Sequence, residues 1–193
     1  MILNNTDIIT ISGKRHSGKT ILSNFLIGLM IENNFDVEIL DVNREYDIDD
    51  VKIHRFADLV DYRKRFPEII NSAMQKRDKF LVFDDVDIVI DQNRMPDSLE
   101  NCIKIGRHNN VGMMLIFRRI NTMHKEVIFN TDHFFIFRSK LLLDREYFSK
   151  YLSNDYDIIN LSQYEFFYAD ALTDAHYTGK ININKNEMVL YKL

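Results

Sequence analysis

The chain has 193 residues, of which 46% are hydrophobic, and its 25 Lys and Arg against 29 Asp and Glu give a net charge of −4. This length and composition suit a globular protein with one domain and its own core. The charge excludes a protein that is basic over its whole surface. The single cysteine, Cys102, excludes an intramolecular disulfide and a cysteine-based zinc site, and we expect a reducing, cytoplasmic environment.

Polar residues interrupt the apolar ones near the start of the chain, namely Asn4, Asn5 and Asp7. A secretory signal peptide is therefore not expected. No apolar run approaches the roughly 20 residues that cross a membrane. We expect a protein that is not an integral membrane protein.

The first motif is a loop bounded by glycines, between an apolar strand at about 7–12 and a long apolar helix at about 18–33. Its sequence fits G-x-x-x-x-G-K-[ST], the phosphate-binding loop of nucleoside triphosphate sites. The glycines let successive N–H groups turn towards an anion, and the helix adds its positive end. The motif assigns the Lys19 ammonium to the phosphates and the Thr20 hydroxyl to Mg²⁺. The predicted nucleotide-binding residues are Gly13, Lys14, Arg15, His16, Ser17, Gly18, Lys19, Thr20 and Ile21.

A second strand, Val37–Asp41, ends in a carboxylate and is followed by a polar stretch up to Tyr46. In an open parallel sheet, ligands bind beyond the carboxyl ends of the strands. Asp41 and Glu45 are therefore candidates for the edge of an active site. From the pattern alone, a polar turn is the simpler interpretation.

A short edge strand is expected at about 51–56 and a helix at about 58–77, with Asp58 as its N-cap and a break near Pro67. Two basic clusters, at 63–65 and 76–77, lie on the polar face of this helix. Such clusters most often form a solvated helix face, and a surface that contacts DNA is the alternative.

The second motif is the stretch Lys79–Phe83, which leads into two aspartates. Its four consecutive apolar residues, 80–83, are typical of a parallel strand buried on both faces. A carboxylate at the end of such a Walker B strand partners Mg²⁺, so Asp84 is the predicted metal residue. Asp85 follows it and can orient and deprotonate a water molecule. Because a phosphate-binding loop lies about 65 residues upstream, the pair indicates hydrolysis of a bound nucleoside triphosphate.

The remaining elements continue the alternation of helices and strands. We expect a helix at about 96–106, a buried strand Val111–Phe117 that leads into Arg118 and Arg119, and a strand at 132–137 that ends in Arg138. A charged helix at about 144–152 should follow. The segments at 163–170 and 188–193 alternate like antiparallel strands or a hairpin.

Together these motifs resemble the FtsK–HerA superfamily of P-loop motor ATPases, and most of all the small genome-packaging ATPases of viruses with an internal membrane and double-jelly-roll capsids. Four stretches carry the resemblance: the loop at 13–20, the polar stretch at 41–46, the pair Asp84 and Asp85, and the segment at 106–119. The residues around 130–138 also fit. The resemblance covers about residues 8–138, and the last third of the chain matches only loosely.

The resemblance implies a three-layer, RecA-like α/β fold with a mainly parallel sheet, in which the strand ending at Phe117 lies between the loop strand and the Asp84 strand. We expect a single ATPase domain over 1–193, with a core at about 1–140 and a small C-terminal α/β extension, mostly β, at about 141–193. The resemblance also implies a homo-oligomeric ring, usually a hexamer, that binds ATP and Mg²⁺ between subunits and moves double-stranded DNA.

Several residues gain a role only through this resemblance. Arg107 matches the arginine that such proteins extend into the ATP site of a neighbouring subunit, although on its own it is an arginine near a helix carboxyl end. Asp41 and Glu45 become part of the active-site edge. Arg118 stands where a glutamine that senses the γ-phosphate is common, which makes it a second candidate for the trans arginine, with Arg138 third. The predicted catalytic residues are Lys19, Asp85, Arg107 and Arg118.

The expected function is ATP hydrolysis that drives double-stranded DNA into a viral capsid, with capsid or viral membrane proteins as further partners and the virion vertex as a further location. Three alternatives stay open. A small nucleoside or nucleotide kinase would also carry the loop, although no arginine-rich lid is evident in the sequence. A HerA-like translocase of conjugation or repair would share the motifs, and a non-catalytic nucleotide switch would bind without turnover.

Overall fold

The computed structural model describes residues 2–152, 156–182 and 187–193. Within these residues, nine strands form one sheet and five α-helices pack on it. The strands are β1 (Ile8–Ser12), β2 (Val37–Asp41), β3 (Lys52–Arg55), β4 (Lys79–Phe83), β5 (Val111–Phe117), β6 (His133–Phe137), β7 (Glu165–Asp170), β8 (Ala175–Asn182) and β9 (Glu187–Lys192). The helices are α1 (Lys19–Glu32), α2 (Leu59–Lys76), α3 (Asp97–Ile105), α4 (Lys125–Asn130) and α5 (Leu142–Tyr151).

The strand order β3-β2-β4-β5-β1-β6-β7-β8-β9 brings the two motif strands close together. The strands from β3 to β6 are all parallel, and β7, β8 and β9 add to the sheet in antiparallel pairs. As predicted, β5 lies between β1 and β4. The carboxyl ends of β1, β4 and β5 therefore meet at one edge of the sheet, where α/β proteins bind ligands.

Apolar side chains on both faces of the sheet explain the three layers. On one face, α1 buries Leu26 and Met30 against Ile9 and Ile39. On the other face, the helices α2, α3, α4 and α5 contribute Phe66, Leu99, Val127 and Phe148 to a second cluster. The expected three-layer α/β fold with a mainly parallel sheet is confirmed. Within the described ranges, no helix is both long enough and apolar enough to cross a membrane.

Three local expectations were wrong or incomplete. Helix α2 runs without a break through Pro67, because Phe66 on one side and Ile70 on the other are buried against the sheet and hold the helix together across the missing N–H. Strand β8 was not expected, since its polar and half-exposed sequence shows no alternation. It forms because it pairs with β7 and β9. The short helix α4 also lacked a sequence signal.

Strand β5 passes so close to the N-terminal segment that only a glycine fits at one position. A Cβ atom on Gly112 would lie 2.8 Å from the carbonyl oxygen of Asp7 and closer still to that of Asn5. We expect Gly112→Ala to lower the free energy of unfolding by about 1–3 kcal/mol, because backbone atoms must move to admit the methyl group. Urea unfolding measures this change.

The matched control is Gly28→Ala in α1, where the added methyl group meets open space. This variant should be more stable than the wild type by about 0.5–1 kcal/mol, because glycine in a helix interior loses more backbone freedom than alanine. A Gly112→Ala variant as stable as the wild type would show that the close approach is not a constraint on the fold.

Candidate functional site

The phosphate-binding loop joins β1 to α1 and requires both of its glycines. The N–H of Gly13 donates to the carbonyl oxygen of Phe117 at 3.2 Å, which ties the loop to the end of β5. A Cβ atom on Gly13 would lie 2.7 Å from the Ser17 hydroxyl. Gly18 has a φ of +115° and packs against the rings of Tyr164 and Phe137. The loop is therefore compact, and side chains are excluded where its backbone must turn.

The loop presents groups that suit an anion. Among the described residues, the buried hydroxyl of Ser17 has no hydrogen-bond partner. The Lys19 ammonium donates to the carbonyl oxygen of Lys14 at 3.2 Å and lines a cavity above the loop. Burial lowers the pKa of Lys19, while the carboxylates of Asp85 and Asp84 act in the opposite direction. A buried, unpartnered hydroxyl beside a half-buried ammonium and a helix amino end fits a phosphate chain.

Asp84 and Asp85 follow β4, are both buried, and line the same cavity. The Asn43 amide nitrogen donates to the Asp84 carboxylate at 2.9 Å and to the Asp85 carboxylate at 2.6 Å. The Arg118 guanidinium, which follows β5, forms an ion pair with Asp85. Two adjacent carboxylates are thus held by one amide and one guanidinium.

These contacts shift the pKa values of the two carboxylates in opposite directions. Burial, together with the negative charge of Asp85, raises the pKa of Asp84 to about 7. Burial alone would also raise the pKa of Asp85, but hydrogen bonds from Arg118 and Asn43 outweigh it and lower that pKa. Asp85 is therefore the ionised member of the pair at neutral pH, which a carboxylate needs in order to accept a proton from water.

Oxygen atoms that suit a magnesium ion gather between the loop and β4. The Thr20 hydroxyl donates to a Glu45 carboxylate oxygen at 2.7 Å. Thr20, Glu45 and Asp84 all line the cavity. Hydroxyl and carboxylate oxygens are the hard donors that Mg²⁺ prefers, so this set fits the ion that the loop motif implies.

The two active-site candidates in the polar stretch after β2, Asp41 and Glu45, have different positions in the structure. Glu45 reaches the cavity, whereas Asp41 is fully buried beneath the turn. The Asp41 carboxylate accepts hydrogen bonds from the N–H groups of Glu45 at 3.0 Å and Tyr46 at 3.1 Å. The Tyr46 hydroxyl in turn pairs with Ser23 of α1 at 2.8 Å. Asp41 therefore shapes the turn that carries Asn43 and Glu45.

The three candidate arginines lie in different places. Arg118 lines the cavity of its own chain. Arg107 is exposed in the short 3₁₀ turn before β5, at the amino-terminal edge of the sheet and thus opposite the loop. Arg138 donates to the carbonyl oxygen of Leu161 at 3.3 Å. Of these three arginines, only Arg118 lines the cavity above the phosphate-binding loop, and Arg138 lines a smaller neighbouring cavity together with Gly13 and Lys14 of the loop.

The cavity, of about 770 Å³, also contains residues to which the sequence analysis gave no role. Asn43 lies in the stretch that carries the family resemblance, so a signal for it was present. Gln163 and Tyr164 lie in the turn before β7 and had none, because that part of the chain was assigned only by its alternation. The other predicted residues that line the cavity are Arg15, His16, Gly18 and Ile21.

The ion pair between Arg118 and Asp85 can be tested with a double-mutant cycle. Because Asp85 is buried beside another carboxylate, removing the guanidinium leaves a charge with poor compensation. We expect the cycle of Arg118→Ala and Asp85→Asn to give a coupling energy of about 1–2 kcal/mol in urea unfolding at neutral pH.

The control cycle uses the more exposed pair of Asp61 and Arg65 in α2, where the ionic oxygen and nitrogen are 3.2 Å apart. Solvent screens this pair, and its coupling energy should be clearly smaller than that of Arg118 and Asp85. Additive effects of Arg118→Ala and Asp85→Asn would contradict the assigned ion pair.

No protein-family model matches the chain, and no curated protein matches it. Among solved structures, the genome-packaging NTPase B204 from Sulfolobus turreted icosahedral virus 2, in complex with sulfate, matches with a TM-score of 0.78 and 18% identity, over 91% of this chain and 96% of that chain. Its complex with AMPPCP matches with a TM-score of 0.77 and 17% identity, over 91% and 98%.

The monomer form of the pCW3 conjugation coupling protein TcpA, with ATPγS, matches with a TM-score of 0.62 and 12% identity, over 86% of this chain and 58% of that chain. These matches extend over most of this chain at low sequence identity, so they bear on the fold. They confirm, at the level of the fold, the resemblance expected from the sequence. The chain therefore has the P-loop ATPase fold that is found in a viral genome-packaging NTPase and in a conjugation coupling protein.

Proposed function

We propose that this protein is an ATPase motor that moves double-stranded DNA into a viral capsid. The observation that carries the proposal is the convergence of the phosphate-binding loop, Asp84, Asp85 and Arg118 in one cavity. The fold supports it, because the similar B204 protein is described as the DNA-packaging ATPase of its virus. The chain would act as one ATPase unit, with its C-terminal strands as part of the same sheet.

In this proposal the loop holds the triphosphate of ATP through its N–H groups, the Ser17 hydroxyl and the Lys19 ammonium. Thr20, Asp84 and Glu45 would hold Mg²⁺ through their oxygen atoms. When bound, Mg²⁺ offsets negative charge on the β- and γ-phosphates. Lys19 and Arg118 both line the cavity, and their positive charges would orient the terminal phosphate.

Asp85 is the proposed base. It accepts a proton from a water molecule whose oxygen bonds to the γ-phosphorus, while the bond from that phosphorus to the β–γ bridging oxygen breaks and ADP leaves. Arg118 and Asn43 hold the Asp85 carboxylate ionised before the reaction. As the γ-phosphate enters, it competes with Asp85 for the Arg118 guanidinium, which frees the base at the moment when substrate is present.

A ring of subunits would complete the site. In a head-to-tail ring each subunit presents one surface to a different surface of the next, so a residue remote from its own loop can reach a neighbour's. The exposed Arg107 at the opposite sheet edge suits this role. We propose a hexamer, in the cytoplasm of the host cell, that docks at the virion vertex through capsid or viral membrane proteins.

The basic residues on α2 are the proposed DNA contacts. Arg63 and Lys64, and Lys76 and Arg77 at its carboxyl end, are exposed. Arg65 is excluded from this set, because it pairs with Asp61 and lies over the Phe56 ring. Each contact with a DNA phosphate should make binding weaken as salt is added.

A DNA translocase of conjugation is the second candidate, and the similarity to TcpA favours it. The two functions share the chemistry and differ in the structure that receives the DNA. A kinase would instead need an acceptor other than water, and a nucleotide switch would not turn ATP over. Phosphate release without an added acceptor, stimulated by double-stranded DNA, would exclude both of these.

Lys19→Ala should abolish phosphate release from ATP, with or without double-stranded DNA, because the loop then lacks the cation that faces the β- and γ-phosphates. A phosphate-release assay measures this loss. The charge-matched control is Lys125→Ala at the exposed start of α4, which should retain the wild-type rate. Unchanged turnover in Lys19→Ala would show that ATP is not hydrolysed in this cavity.

Arg107→Ala should lower the rate by roughly 10³–10⁵-fold while leaving ATP binding intact, because a trans arginine acts on the transition state. Mixing it in equal amounts with Lys19→Ala should restore up to roughly a quarter of the wild-type rate, since about one interface in four then joins two intact halves. His108→Ala, in the same turn, is the control. If the mixture stays as inactive as its parts, Arg107 does not act in trans.

A further inference from the structure

The two sides of the cavity differ in chemistry, and the sheet order explains why. The strands β4 and β5 carry Asp84, Asp85 and Arg118 on one side of the loop strand β1, while β6 and β7 lie on its other side. The turn before β7 brings Gln163 and Tyr164 to the same cavity. Since the reacting γ-phosphate must face Asp85, the rest of a nucleotide that is bound by the loop extends towards β7.

The turn before β7 is held in place by several hydrogen bonds. The carbonyl oxygen of Tyr164 accepts from the N–H of Ile181 in β8 at 3.1 Å. The N–H of Glu165 donates to the carbonyl oxygen of Ser162 at 3.2 Å, and the Glu165 carboxylate accepts from the N–H of Ser162 at 2.8 Å. Tyr164 itself has a φ of +65°, in the left-handed region that a tyrosine rarely adopts. Non-glycine residues keep this conformation where the surrounding structure imposes it, and such positions cluster at ligand sites.

This backbone places the Tyr164 ring directly on the phosphate-binding loop. The ring atom Cδ1 lies 2.9 Å from the position that a Cβ atom on Gly18 would take. The side chain is half-buried and packs against the apolar cluster beneath α1. The ring therefore has a fixed position, and it still contributes to the lining of the cavity.

We infer that Tyr164 and Gln163 form the base-binding side of the nucleotide site, with the Tyr164 ring as a stacking surface for a purine. This inference rests on the proposed function and extends it to the part of ATP that the loop motif does not address. A fixed aromatic ring stacks on a base without the entropic cost of ordering a mobile one. The Gln163 amide carries both donors and an acceptor, which can read the edge of the base.

The C-terminal extension therefore completes the active site of its own chain. Without β7 and β8, the turn that carries Tyr164 would lose its anchor at Ile181. The competing explanation is that Tyr164 only fills the space above Gly18. If Tyr164 contacts the base, its replacement weakens binding only of ligands that have a base. If it only supports the loop, its replacement weakens binding of ligands with and without a base alike.

The experiment measures binding of ATP and of inorganic tripolyphosphate by titration calorimetry to wild type, Tyr164→Phe and Tyr164→Leu. Leucine keeps an apolar contact with Gly18 and lacks the aromatic face. We expect Tyr164→Leu to weaken ATP binding by about 5–100-fold and Tyr164→Phe by no more than about 2-fold, because stacking needs the ring and not the hydroxyl. Tripolyphosphate should bind all three proteins equally.

Equal losses for ATP and tripolyphosphate in Tyr164→Leu would overturn the inference, since the tyrosine would then support only the loop. Unchanged ATP binding would overturn it as well. Thermal unfolding of each variant shows whether the fold is retained. If the wild type binds neither ligand, the proposed function fails together with the inference. If the wild type binds and hydrolyses ATP and Tyr164→Leu does the same, only the inference fails.

The role of Gln163 is tested by specificity. Wild type should discriminate between ATP and GTP, and Gln163→Ala should bring the ratio of their dissociation constants closer to one, because the amide no longer reads the base edge. Tripolyphosphate binding should again be unchanged. If Gln163→Ala leaves the ratio of the ATP and GTP dissociation constants unaltered, or if the wild type binds both nucleotides equally, Gln163 does not contact the base.

Discussion

Two buried carboxylates on adjacent residues are the constraint on which the rest of the site depends. Asp84 and Asp85 repel one another and are costly to bury, so donors must reach them from outside β4. Those donors come from Asn43 after β2 and from Arg118 after β5. In the sheet, β2 and β5 flank β4 and so bring both donors to the pair. The strand order therefore builds the site as well as the core.

A second set of contacts connects this pair to the phosphate-binding loop. Asp41 holds the turn after β2 from below, and Tyr46 at its far end pairs with Ser23 of α1. At the top of the same turn, Glu45 accepts from Thr20. Hydrogen bonds through this one turn therefore connect the carboxylate side of the cavity to the phosphate side. Asn43, which donates to Asp84 and Asp85, lies in the same turn.

The antiparallel strands β7 to β9 extend the parallel sheet and give the cavity a different wall on its far side. Their contribution to the site is the ring of Tyr164 against Gly18, beside a loop that is otherwise polar. The glycine and the tyrosine depend on each other, because a side chain on Gly18 would occupy the place of the ring. The loop motif thus has a steric requirement for glycine in addition to its backbone angle.

The sequence by itself determined the features that local patterns encode: the strand–loop–helix of the phosphate-binding motif, the buried strand that leads into Asp84 and Asp85, and most of the element boundaries. These follow from periodicity and turn chemistry within about ten residues. Only the tertiary structure decided that Arg118 pairs with Asp85, that Asp41 lies beneath its turn, that α2 passes through Pro67, and that Tyr164 lies on Gly18. Each of these depends on which distant strands become neighbours, and a pattern along one strand does not contain that information.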